Sequence, residues 1–290
     1  MVAAVLISLV CLDDFVGTFS YRTGTKARIE VIPARDQPTQ RAIVILPGYM
    51  MSGTIVAKAF SPFVSKHDAL IGVDYAARGV NTEDIYQQVL KALYSVRPSR
   101  VVLFGASMGG MVAMDLLANY EEDGAPFGKV SIVFDTAPAG SSDIKRPPWL
   151  LDVGCWYRGG PISSSIWAVI SSAMSQPTPE SIANPGLMAA ARHSGAWVGM
   201  PAITTEACFI RRFSQPIGAV NLRRSIRQVL YLHGSQPQDD PLVDIDSSIK
   251  RLRTFFPDLR VVTIPRRLGQ WHLPLVERPQ EAVLAFIAAT

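Results

Sequence analysis

Val101-Val102-Leu103-Phe104-Gly105-Ala106-Ser107-Met108-Gly109-Gly110 passes from an apolar, β-branched run through a glycine-rich turn into Met111-Val112-Ala113-Met114. The run Val101 to Phe104 predicts a strand buried on both faces. Met108 to Tyr120, apolar on nearly all sides, predicts a helix packed deep against the sheet. Between them, Gly105-Ala106-Ser107-Met108-Gly109 is a G-x-S-x-G motif. Alone that motif is weak. Between a buried strand and a buried helix it predicts a strained turn that lifts the serine hydroxyl above the sheet edge, with glycines leaving room for the close approach. Ser107 is therefore the candidate nucleophile.

Working outward, short β-branched runs alternate with helical patterns from about Lys26 onward, the signature of a mostly parallel sheet with helices on both faces. Ile43–Leu46, Leu70–Val73, Val130–Phe134, Val229–Leu232 and Val261–Ile264 read as further strands. Asn81-Thr82-Glu83-Asp84 supplies caps and early acidic residues for a helix in which Ile85, Val89, Leu93 and Val96 recur at helical spacing. Pro279 sits at a first helical position before a terminal helix over Ala282 to Ala289.

One stretch breaks the alternation. Residues 139–219, between the fourth of these strands in the core order and the fifth, hold Trp149, Trp156, Trp167 and Trp197 with several Met, Ser, Pro and Gly. A loop this long inside a domain carries structure of its own, and the segment reads as an inserted, mainly helical lid. The domain plan is thus an apolar N-terminal segment (1–20), a core (21–138 and 220–290) and the lid (139–219).

Composition narrows the function classes. Hydrophobic residues make up 48% and charged residues 18% of 290 residues, so the chain is globular. The net charge is only +4 and the basic residues are scattered, Arg22 to Arg28 and Arg223 to Arg227 being solvated faces, which argues against nucleic-acid binding. Cys11, Cys155 and Cys208 make no disulfide framework, a single bridge in an exported protein being left open, and they have no metal-ligand spacing. No phosphate loop or nicotinamide fingerprint occurs, so no cofactor and no metal are expected. The apolar run Val2 to Cys11, ended by Asp13-Asp14, is shorter than a bilayer span and lacks the charge and cleavage site of an export signal. It reads as a buried or peripheral segment, with the cytoplasm favoured over membrane association or export, a membrane contact left open and the oligomeric state undetermined.

With its elbow-like motif in this setting, the chain resembles the α/β-hydrolases of the lipase, esterase and haloperoxidase kind from about Arg28 to the C-terminus. Ala106 stands where that family often has histidine before the nucleophile. A serine hydroxyl needs a base within hydrogen-bond reach. His272, in Gly269-Gln270-Trp271-His272-Leu273 before Glu277-Arg278-Pro279, resembles the family's catalytic-histidine loop; His67, His193 and His233 fit less well. His233-Gly234-Ser235-Gln236-Pro237-Gln238-Asp239-Asp240-Pro241-Leu242-Val243 is similar to the family's G-x-x-D-P-x-V acid loop with three additional residues. Its Asp-Pro-Leu-Val register selects Asp240 as the acid, with Asp239 and Asp135 as alternatives. The resemblance implies an oxyanion hole formed by the amide of Met108 and that of Tyr49 in Leu46-Pro47-Gly48-Tyr49-Met50, with Met50 as the fallback. The expectation is a serine hydrolase acting on a carboxylic ester or thioester of a small molecule with an apolar acyl or alkyl part. The alternatives are a non-catalytic ligand- or partner-binding protein, and an acyltransferase or carbon–carbon bond hydrolase using the same residues.

Overall fold

The apolar runs lie side by side in one sheet, Val261–Ile264 at its edge and the others inside it. In the computed structural model, which describes residues 2–20, 26–77, 79–174, 200–214, 225–234, 238, 240–265, 272–274, 281–283 and 286, seven strands are present. They are β1 (Arg28–Ile32), β2 (Arg41–Leu46), β3 (Asp68–Asp74), β4 (Arg100–Ala106), β5 (Val130–Asp135), β6 (Ile226–Gly234) and β7 (Arg260–Ile264). Their order is β1-β3-β2-β4-β5-β6-β7, parallel throughout except that β1 runs antiparallel to β3. The chain steps from β2 outward to β3 and then returns past β2 to β4. That reversal opens a crevice beyond the carboxyl ends of β2 and β4, where ligands of open α/β sheets bind.

Described helices cover both faces. They are α2 (Gly53–Phe60), α3 (Thr82–Val96), α4 (Met108–Glu122) and α8 (Ile245–Phe255) around the sheet, and α5 (Pro148–Trp156), α6 (Pro161–Met174) and α7 (Met200–Arg212) between β5 and β6. Asn81 caps α3 by accepting the Asp84 amide at 3.1 Å, and α4 buries Met111, Val112 and Leu117 completely. Residues 175–199, Pro279 and most of the predicted terminal helix lie outside the described residues. Cys155 of α5 and Cys208 of α7 are joined by a disulfide, so these two helices form one unit.

The N-terminal segment forms one helix, α1 (Val2–Ser20), which carries on through the acidic pair that ends the apolar run. Asp13 is 3% exposed and caps α6: it accepts the amides of Gly160, Ile162 and Ser163 at 3.1, 2.8 and 3.1 Å, and the Tyr157 hydroxyl at 2.8 Å. Burial would push its carboxyl up, but bonds from Ser163, Tyr157 and the α6 amides outweigh that and hold it below its usual value. A Cβ at Gly160 would overlap the Asp13 carbonyl, so only glycine permits this approach. Asp13→Ala orphans these donors and removes the cap. The expected loss is about 2 kcal/mol in urea unfolding, together with faster proteolysis within α1.

Candidate active site

Ser107 in the turn after β4, Asp240 beyond β6 and His272 beyond β7 come together beside the loop that leaves β2. Ser107 follows β4 with φ 48° and ψ −119°, a backbone conformation costing on the order of 1–3 kcal/mol for a non-glycine residue. The turn is held by the Ser107 amide donating to the Asp135 carbonyl at 2.9 Å and the Gly110 amide donating to the Ser107 carbonyl at 2.9 Å. A side chain at Gly109 would overlap the Leu46 carbonyl of the neighbouring strand, which explains the glycine that closes the motif.

His272 spans the gap between this turn and the loop after β6. Its Nε2 lies 2.7 Å from Ser107 Oγ, and its Nδ1 lies 2.9 and 3.1 Å from the two carboxyl oxygens of Asp240. Asp240 is 4% exposed, and its Oδ1 also accepts the amides of Leu242 and Val243 at 2.9 and 2.8 Å. Burial alone would raise the Asp240 carboxyl; the hydrogen bond and charge of His272 and the two amides outweigh it and leave it below its ordinary value. A carboxylate anion can only accept, so Nδ1 carries the proton and Nε2 is free to accept from the serine hydroxyl.

The other sequence candidates are placed differently. Asp135 ends β5, fully buried, and meets the turn through its backbone carbonyl, while His272 bonds to Asp240 and Ser107. Asp239 and His193 lie outside the described residues. His233, at the end of β6, is tied to the Gly234 carbonyl at 2.6 Å and to Thr263 Oγ1 at 3.2 Å. His67 sits in the loop before β3, where its carbonyl accepts the Gln40 amide at 2.9 Å.

The loop after β2 approaches the serine closely enough that a Cβ on Gly48 would stand 3.3 Å from Ser107 Cβ. Its backbone is tied at successive peptides. Tyr75 Oη donates to the Pro47 carbonyl at 2.9 Å, the Met51 amide to the Gly48 carbonyl at 3.1 Å, and the Met50 amide to Glu206 Oε2 at 2.7 Å. Because Glu206 occupies the Met50 amide, Tyr49 is the one of the two candidate donors in this loop whose amide is not taken up by that carboxyl. Met108 is the first residue of α4, where helix geometry leaves the amide without an intrahelical acceptor.

Glu206, which sequence reasoning passed over, projects from α7 and is 2% exposed. It stands in the buried stripe Ile203, Glu206, Ala207, Ile210, and a carboxyl in such a stripe was the available signal. Burial pushes it up from 4.5 to about 8, partly offset by the Met50 amide. The native state therefore holds this proton more tightly than the unfolded chain. Its stabilising effect is complete below about pH 4.5 and is lost as pH rises to about 8. Urea unfolding between pH 5 and 8 should show wild-type stability falling by up to about 1.4 kcal/mol per pH unit relative to Glu206→Gln. Parallel stability curves for the two proteins would exclude this.

Among the described residues no group of three or more His, Cys, Asp or Glu side chains is placed to hold a metal ion. No curated protein matches the chain. Solved structures share its fold at low identity. An esterase from Exiguobacterium antarcticum superposes with a TM-score of 0.61 at 14% identity, covering 91% of this chain and 96% of its own. A marine microorganism esterase gives 0.61 at 16%, covering 92% and 100%. An N-acyl homoserine lactone degrading enzyme gives 0.59 at 15%, covering 90% and 96%. The sequence profile described as the alpha/beta hydrolase family matches residues 35–286. That match spans most of the 290 residues and agrees with the mostly parallel, helix-covered sheet, so the chain belongs to the alpha/beta hydrolase family.

Proposed function

We propose that this protein is an esterase-type hydrolase that cleaves a carboxylic ester or thioester through an acyl-enzyme, with Ser107 as nucleophile, His272 as base and Asp240 as acid. The observation that carries the reading is the continuous relay from Ser107 Oγ through His272 to Asp240, at 2.7 and 2.9 Å, on a strained turn. Ser107 attacks the substrate carbonyl while His272 Nε2 takes its proton, and Asp240 stabilises the imidazolium. Negative charge develops on the carbonyl oxygen, where the Met108 and Tyr49 amides donate to it. His272 returns the proton to the departing alcohol or thiol. A water then repeats the sequence to release the acid and restore Ser107.

The names of similar folds, esterases and a lactone-degrading enzyme, agree with acyl transfer to water. We assign the inserted helices as a cap over the crevice, since α7 reaches the loop after β2 through Glu206, and an apolar acyl or alkyl part suits its composition. The test is a fluorophosphonate probe and a chain-length series of chromogenic esters. Wild type should be labelled on Ser107 and turn over; absence of an adduct on folded protein, with no hydrolysis, would leave a binding role instead.

A second reading concerns location. Residues 7–12 of α1 are exposed around the whole helix, Ile7 at 64%, and Trp156 of α5 and Val169 of α6 are 66% and 71% exposed. Among the described residues no helix is long and apolar enough to cross a membrane, so contact with lipid would be interfacial. In liposome flotation the double substitution Ile7→Asp, Phe15→Asp should reduce the bound fraction; equal partitioning would count against it.

A further inference from the structure

The cap and the loop that follows β2 meet at a buried carboxyl, that of Glu206. Met50 has φ 63° and occupies the third position of the turn closed by the Met51 amide on the Gly48 carbonyl. That position normally takes glycine, and a methionine there relaxes toward a negative φ unless something holds it. What holds it is the Met50 amide donating to Glu206 at 2.7 Å. The amide faces a carboxyl that is 2% exposed, and parting them would leave polar groups of a half-buried contact unmatched, so the tie persists while the cap is seated. On the other side of Tyr49, Tyr75 holds the Pro47 carbonyl. The Tyr49 amide thus lies between two clamped peptides, one fixed from the core and one from the cap.

We propose that Glu206 is a positioning residue: through the Met50 amide it sets the turn that aims the Tyr49 amide at the developing oxyanion, making cap seating a condition for a competent oxyanion hole. The inference rests on the acyl-enzyme reading above. It assigns Glu206 no contact with substrate. The neutral carboxyl is the form suited to the task, because its carbonyl oxygen accepts from Met50 without placing a negative charge beside the oxyanion.

Few charges surround it. Tyr49 and Tyr75 face it from the loop and from the end of β3, both phenols being pushed upward by burial and then by Glu206 itself, and Asp74 stands beside Tyr75. From the elements packed on α7, α5 brings Asp152, paired with Arg211, and the turn Ser141–Asp143 brings Asp143, paired with Arg251 at 3.1 Å. Helix α6 brings no charged residue. Among the described residues no Lys or Arg pairs with Glu206.

The experiment measures kcat and KM for a chromogenic ester from pH 6 to 9.5 in wild type, Glu206→Gln and Glu206→Leu, with active sites counted by fluorophosphonate labelling and folding checked by circular dichroism. Gln keeps an acceptor and no charge. It should retain neutral-pH kcat and lose the decline that wild type shows as Glu206 ionises above about pH 8. Leu removes the acceptor. It should lower kcat by about 10- to 100-fold with KM little changed, since a donor displaced by about 1 Å costs on the order of 100-fold. A folded Leu variant with wild-type kcat, or a Gln variant as impaired as Leu, overturns the proposal. Should Leu not fold, the Gln profile decides alone: an alkaline decline identical to wild type overturns it. Wild type that neither labels nor turns over is a failure of the acyl-enzyme reading itself, and is told apart by that control.

Discussion

Ser107→Ala is expected to lower kcat on a chromogenic ester by roughly 100,000-fold while leaving the melting temperature nearly unchanged. The oxygen removed is the one 2.7 Å from His272 Nε2, and nothing else in the crevice is both nucleophilic and within reach of that nitrogen among the described residues. His272→Ala should cost about as much, because a serine hydroxyl without its base is nearly inert at neutral pH. The double variant should be no worse than either single one, since residues acting as a unit do not contribute additively. Residual activity would come from the Met108 and Tyr49 amides acting on water attack. Retention of more than about 1% of kcat in Ser107→Ala would place the nucleophile elsewhere.

How much of this could be read in advance depended on whether the signal was local. The strands β2 to β7 each carry at least three apolar residues within a stretch of five, and the turn at Ser107 is framed by two of the most apolar segments in the chain, so both were legible. β1 was not: Arg28-Ile29-Glu30-Val31-Ile32 is a short, half-buried edge strand, and its pairing with β3 is long-range. α8 carried a readable cap, Asp244 accepting the Ser247 amide, and an apolar stripe through Ile245 and Leu252, but it followed the acid loop that absorbed the reading. The disulfide joins residues 53 apart in sequence, and only the packing of α5 on α7 brings their Cα atoms to 4.6 Å. Asp13 marked only the end of an apolar run; its role depends on the start of α6, some 150 residues later.

The site divides in the same way. Ser107 and His272 each sit in a motif that a local reading can name. The candidate acid is marked less sharply: the Asp-Pro-Leu-Val register points to Asp240, but Asp239 and Asp135 also sit in or near the right loops, and sequence carries no distances. Glu206 was hidden for a related reason: its partner is a backbone amide, and no side-chain motif advertises that Met50 needs an acceptor. The tertiary contact between α7 and the loop after β2 is the information that sequence periodicity leaves out.

The choice of acid gives the second large effect. Asp240→Asn keeps an oxygen for the Leu242 and Val243 amides, so the loop should hold its shape, yet the side chain becomes able to donate to His272 Nδ1. That favours the tautomer with the proton on Nε2, which cannot accept from Ser107. A fall in kcat of about 10,000-fold is expected. Asp240→Asn should also flatten the acid side of the stability curve. The wild-type carboxyl lies below its ordinary 3.8, so its contribution is complete above that value and fades as pH falls through the folded-state one. Asp135→Asn tests the rival. Its side chain is fully buried at the end of β5 and it meets Ser107 through a carbonyl that the substitution keeps. The change should therefore appear mainly as lost stability, with kcat within about tenfold of wild type. If the two variants exchange these phenotypes, the acid is Asp135, and the 2.9 Å contact of Asp240 with His272 is a structural tie of the loop.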